Sequence, residues 1–129
     1  MHGPTETANL AMAFKWADLY ANGAPGDWVM EATTEDVTWQ EPPWRFYPQG
    51  RVIEGRARLL EEANSSGEAF IEKKLTVKHA VADGDSVVLQ LRFEATTAAG
   101  RTLVLEMVSV QRYHDGLIRE ATDYITVVP

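Results

Sequence analysis

The chain has 129 residues, no cysteine and a formal net charge of −7: length for one domain with a real core, and no means of making a disulfide, a thiolate nucleophile or a thiolate metal site. The negative balance argues against nucleic acid and anionic membrane as partners. The start, Met1-His2-Gly3-Pro4-Thr5-Glu6, lacks the basic and apolar parts of a signal peptide, and no run approaches the roughly 20 apolar residues of a membrane span, so a cytoplasmic protein is expected.

Thr5 can cap a first helix to about Ala21, ended by Asn22-Gly23. Leu10, Ala13, Phe14, Ala17 and Ala21 form one stripe, widened by Met12, Trp16, Leu19 and Tyr20. Asp27 caps a short second helix through Trp28, Val29 and Met30. A strand is predicted over Asp36 to Glu41, stopped by Pro42-Pro43, and Trp44, Phe46 and Tyr47 follow in a stiff loop that also holds Pro48. Val52-Ile53 reads as a short strand, Arg56 to Ala63 as a third helix, and 64–67 as a loop. Phe70 to Val81 is a long strand with Ile71, Leu75, Val77, His79 and Val81 on one face.

Three more strands fill Ser86 to Val128. Asp115-Gly116 is a two-residue hairpin turn, because both residues accept positive φ cheaply; Ala98-Ala99-Gly100 is a three-residue turn. These turns set a register in which Arg92 opposes Glu106, Gln90 opposes Val108, His114 opposes Leu117 and Val108 opposes Asp123. One face then carries Gln90, Arg92, Glu94, Glu106 and Asp123 among Val104, Val108 and Val110. The other carries Val87, Leu89, Leu91, Phe93, Leu103, Leu105, Met107, Tyr113, Ile118 and Tyr124. A one-residue slip would dissolve the polar cluster.

The expected architecture is α+β, with helices on one face of a curved sheet. The apolar outer surface of such a sheet wants a second cover, most simply another copy of the chain, so a homodimer is expected. Arg92 among Glu94, Glu106 and Asp123 could hold carboxyls in different protonation states, as acid/base chemistry at neutral pH requires; the alternative is a surface ion pair contributing about 0–1 kcal/mol. Trp39, Trp44, Phe46 and Tyr47 are candidates for the wall of a pocket for a flat apolar ligand, or for core packing under the loop. His2, His79 and His114 have no metal-ligand spacing and the glycines form no phosphate loop, so neither metal nor cofactor is expected.

The element order, the helix start Gly55-Arg56-Ala57 after a strand, and Asp115-Gly116-Leu117-Ile118 near the C-terminus resemble the nuclear-transport-factor-2-like superfamily. Its enzyme branches include SnoaL-like polyketide cyclases, ketosteroid isomerases, scytalone dehydratases and limonene-epoxide hydrolases. The resemblance implies a cone: a bent mixed or antiparallel sheet wrapped around three helices (a cystatin-like α+β barrel) with a deep pocket. Arg92-Phe93-Glu94 and Asp123-Tyr124 are similar to the epoxide-hydrolase pattern, in which Asp123 would activate a water and Glu94 would protonate the epoxide. That branch's water-holding Tyr-x-Asn is Trp39-Gln40-Glu41 here. Glu41-Pro42 is similar to the isomerase carboxylate before a proline, with Trp16 and Ser109 nearest to that branch's oxyanion hole, and Asp123 could match the acid/base Asp of the cyclases. The resemblance thus implies a cofactor-free enzyme acting on a hydrophobic oxygenated small molecule. Its catalytic candidates are Asp123, Arg92, Glu94 and Glu41. Trp39, Trp44, Phe46, Tyr47, Trp16, Glu106 and Val108 would contact the substrate. A non-catalytic binding or dimerisation module of the same fold is the alternative.

Overall fold

The computed structural model describes residues 3–67 and 69–129; His2 lies outside them. The elements are α1 (Pro4–Asn22), α2 (Asp27–Ala32), β1 (Thr33–Glu41), β2 (Arg51–Glu54), α3 (Arg56–Gly67), β3 (Phe70–Asp83), β4 (Ser86–Thr97), β5 (Thr102–His114) and β6 (Leu117–Val127). Gly3, not Thr5, is the cap of α1. Pro4 fits the first turn, where its missing N–H is no loss, and the Gly3 N–H donates to Glu6 Oε1 at 2.9 Å. The buried stripe of α1 is Asn9, Ala13, Trp16 and Ala17, and Phe14 points outward. Residues 64–67 continue α3 instead of forming a loop. Its end is pinned by close approach: a Cβ on Gly67 would lie 2.5 Å from Pro25 Cγ.

The six strands form one mixed sheet in the order β2-β1-β6-β5-β4-β3. Only β1 and β6 run parallel. The sheet curves around the helices without closing, so β2 and β3 are its edges. Both predicted turns are present. Asp115 (φ 50°) and Gly116 (φ 80°) take the left-handed pair a two-residue hairpin needs, and Gly100 (φ 82°) closes the other. Arg92 opposes Glu106, Gln90 opposes Val108, and His114 opposes Leu117.

The β5–β6 register then departs from strict alternation. Tyr113 opposes Ile118 but Arg112 opposes Glu120, so Arg119 is an extra residue in β6. A bulge puts two residues against one and re-aims everything beyond it. Ile118 and Ala121 both point inward, Asp123 opposes Ser109 instead of Val108, and Tyr124 turns out to 53% exposure. Two similar shifts in β3 expose Ile71, His79 and Val81 and turn Leu75, Val77, Ala80 and Ala82 toward the core.

The core fills the space between the helices and the inner sheet face. Val87, Leu89, Leu91 and Phe93 of β4 and Leu105 and Met107 of β5 meet Ala13, Trp16, Val29 and Leu59 there. Among the described residues no helix is long and apolar enough to cross a membrane.

Candidate active site

The inner sheet face and the helices do not meet everywhere. They leave a cavity of about 400 Å³, within the usual range for small-molecule sites. Its walls are aromatic: Trp16 and Tyr20 from α1, Trp28 from α2, Trp39 from β1, and Trp44, Phe46 and Tyr47 from the loop after β1. Trp39 stacks 5.8 Å from Trp16 and edge-on to Trp28 at 5.0 Å, so the three indoles brace one another.

Asp123 lies in this wall, 9% exposed. The bulge at Arg119 put it there. Trp39 Nε1–H donates to Asp123 Oδ2 at 2.7 Å, while Oδ1 makes no hydrogen bond. Burial is the largest influence on this carboxyl and pushes its pKa up to about 6; the contacts to Trp39 and Ser109 and the charge of Arg51 only partly oppose it. Ser109 exerts its effect without a hydrogen bond of full geometry to Oδ1. Behind Asp123 a buried polar string runs along β5: Tyr113 Oη–H donates to Gln111 Oε1 at 2.7 Å, and Gln111 Nε2–H to Ser109 Oγ at 3.2 Å. Ser109 Oγ therefore accepts along the string, which leaves its own proton free for another acceptor.

Tyr20 was not among the residues singled out from the sequence, which pointed to Trp16 instead. It lies one helical turn beyond Trp16 and lines the same cavity. Burial, then Asp123, then Glu41 push its phenol pKa up, so it stays protonated as a donor.

Glu41 also lines the cavity, but both oxygens are engaged. Oε2 accepts from Arg51 at 2.9 Å and Oε1 from Trp44 Nε1 at 2.8 Å. Arg51 donates further to Glu62 Oε2 and Tyr47 Oη, each at 3.2 Å, and its guanidinium lies 4.1 Å from the Tyr47 ring centroid. Burial, the largest single influence, would lower the Arg51 pKa; the bond to Glu41 and the charges of Glu41, Tyr47 and Glu62 together outweigh it, and the guanidinium stays charged. This network ties the aromatic loop, β2 and α3 together.

Arg92, Glu94, Glu106 and Val108 do not reach the cavity. All four lie on the outer face, where Arg92 pairs with Glu106 at 2.7 Å and Glu94 at 3.5 Å, and Lys78 with Glu106 at 3.8 Å. Their mutual register is as expected; the bulge separates Asp123 from them. Among the described residues no group of three or more His, Asp or Glu is placed to hold a metal ion.

The curved sheet and its helices thus hold an aromatic cavity with two buried carboxyls in its wall, Glu41 in an ion pair and Asp123 without one. The SnoaL-like domain profile matches residues 13–121, and the chain belongs to that family. A search of curated proteins finds no match. Solved structures share the fold at low identity. A protein from Jannaschia sp. CCS1 assigned as a SnoaL-like polyketide cyclase is 18% identical, with TM-score 0.81, over 97% of this chain and 90% of that one. A LEH-like epoxide hydrolase from M. tuberculosis is 16% identical, with TM-score 0.79, over 95% and 86%. A protein from Bacillus subtilis assigned as an isomerase is 16% identical, with TM-score 0.83, over 96% and 90%.

Proposed function

We propose that this chain is a cofactor-independent acid/base enzyme that moves a proton α to a carbonyl in a hydrophobic, flat small molecule, as in isomerisation or cyclisation. The observation that carries this reading is Asp123, a buried carboxyl held by Trp39, with its pKa pushed up to about 6, in the wall of an aromatic cavity. Such a group is ionised at neutral pH yet more basic than an ordinary aspartate, the balance a general base needs. The Asp123 carboxylate takes the α-proton, the C–H electron pair moves into the carbonyl to form an enolate, and the Tyr20 hydroxyl donates to that oxygen. The proton then returns to another carbon, or the enolate carbon adds to a second carbonyl of the same molecule, whose C=O π bond opens and whose oxygen takes the proton from Asp123. Epoxide opening is less well supported, because Glu94 and Arg92, the residues that match that branch's pattern, lie on the outer face, and the cavity's own second carboxylate and arginine, Glu41 and Arg51, are paired with each other.

The reaction-blind test is deuterium uptake α to the carbonyl of cyclic ketones such as the tetralones in D₂O, followed by NMR. The enzyme should accelerate exchange, and Asp123→Asn should lose about 10²–10⁴-fold of it while still binding the ketone. Exchange no faster than without protein would leave a binding module, and equal acceleration by both proteins would refute Asp123 as the base. We also propose that two copies pair through the outer sheet face, where Val108 (38% exposed) and Tyr124 stand among the ion pairs. Sedimentation equilibrium should give a dimer that Tyr124→Glu dissociates.

A further inference from the structure

Lys73 is out of place for an ordinary lysine. It sits on β3 in the row that points inward with Leu75 and Val77, half-buried, and lines the cavity beside Phe70 and Phe93. Its ammonium lies 5.0 Å from the Tyr20 ring centroid. Burial lowers its pKa. The cavity's other cation, Arg51, already has its two terminal nitrogens paired with Glu41 and Glu62. Lys73 meets no carboxylate among the described residues. An ammonium half-buried against apolar side chains loses part of its hydration unless an anion meets it, and the space this one lines is the cavity.

We infer that Lys73 selects the ligand, and that the ligand class is a flat fused-ring compound with an oxyanion at one end, a carboxylate or an ionised enol. The inference rests on the reading of the cavity as a small-molecule site. Lys73 stands opposite Ala95, itself opposite Leu103, whereas Asp123 stands opposite Ser109, so the two groups are three strands apart and at different heights of the sheet. A ligand that presents its oxyanion to Lys73 and its reactive carbon to Asp123 must therefore carry the two at separate ends. The Tyr20 ring lies against the ammonium while its hydroxyl serves the reacting end, so one side chain contacts both ends of the site.

The test is calorimetric titration at pH 7.5 with 2-naphthoate and with its neutral isostere 2-naphthamide. The unmodified protein should bind the carboxylate about tenfold more tightly, the scale of a hydrogen bond to a charged partner. Lys73→Met should abolish that preference and leave amide binding unchanged, and Lys73→Arg should keep it. A carboxylate bound no better than the amide, or a Lys73→Met chain that weakens both alike, would overturn the assignment. Binding of neither compound would do the same. Asp123→Asn separates this proposal from the catalytic one. A chain that catalyses nothing, yet keeps a Lys73-dependent preference for the carboxylate in both backgrounds, refutes the base and leaves the ligand class standing.

Discussion

The two faces of the sheet carry similar acidic groups in opposite conditions. On the outer face of a single chain Glu94 and Glu106 have Arg92 and Lys78 beside them, their side chains 45% and 32% exposed. On the inner face Asp123 is desolvated, held by one indole N–H and left with an unbonded oxygen. A well-partnered charge at a surface is near its ordinary state and does little. A poorly partnered charge in an apolar wall is strained toward neutrality, and that strain is usable chemistry.

The contrast breaks most visibly in turnover. Arg92→Gln and Glu106→Gln should stay within about twofold of the unmodified enzyme in the assay that Asp123→Asn nearly silences. A large loss from either outer-face change would mean the outer cluster reaches the chemistry after all. The next effect is on stability against pH. Asp123 holds its proton more tightly folded (pKa about 6) than unfolded (3.8). Its contribution to stability is therefore fully present below about pH 4 and is lost as pH rises through about 6. The scale is about 3 kcal/mol at 1.4 kcal/mol per pKa unit. Urea titrations of the unmodified protein and Asp123→Asn across that window should diverge, with the variant relatively more stable at pH 8. Parallel curves would mean that the carboxyl is solvated. The smallest effects compare two ion pairs. Arg51→Met strands Glu41, whose side chain is 8% exposed, and should cost about 3 kcal/mol. Arg92→Gln should cost at most about 1 kcal/mol, less in high salt. Equal costs would show that the mouth of the cavity is as wet as the outer face.

Much of this was readable in the letters. Turns with enforced positive φ fixed the β4–β5 pairing to the residue, and the apolar alternation of β4 named its buried side chains. The aromatic group after β1 lines the cavity as its density suggested. What was misread was where alternation fails. Counting from Asp115-Gly116 puts Asp123 on one face with Arg92 and Glu94, and that face reads as the pocket wall; it is the outer face, and only the bulge at Arg119 brings Asp123 in. A trace was present: Ile118 and Ala121 are both apolar but three apart, which no regular strand can bury on one face. Arg51, Glu62 and Lys73 were not legible as cavity residues, because charged residues on an edge strand or a helix read as solvent-facing until a cavity is seen beside them.

The bulge also has a genetic meaning. It stores one residue of slack between the last hairpin and the carboxylate. Deleting Arg119 would remove the stored residue and leave Asp123 opposite Ser109, since Ile118 and Glu120 already face Tyr113 and Arg112. An added residue has no such reserve to draw on. Without a second bulge it would turn Asp123 to the solvent and bring a neighbour into the cavity. Length change in β6 is thus tolerated in one direction only, and a lineage carrying this strand can shorten it more safely than lengthen it.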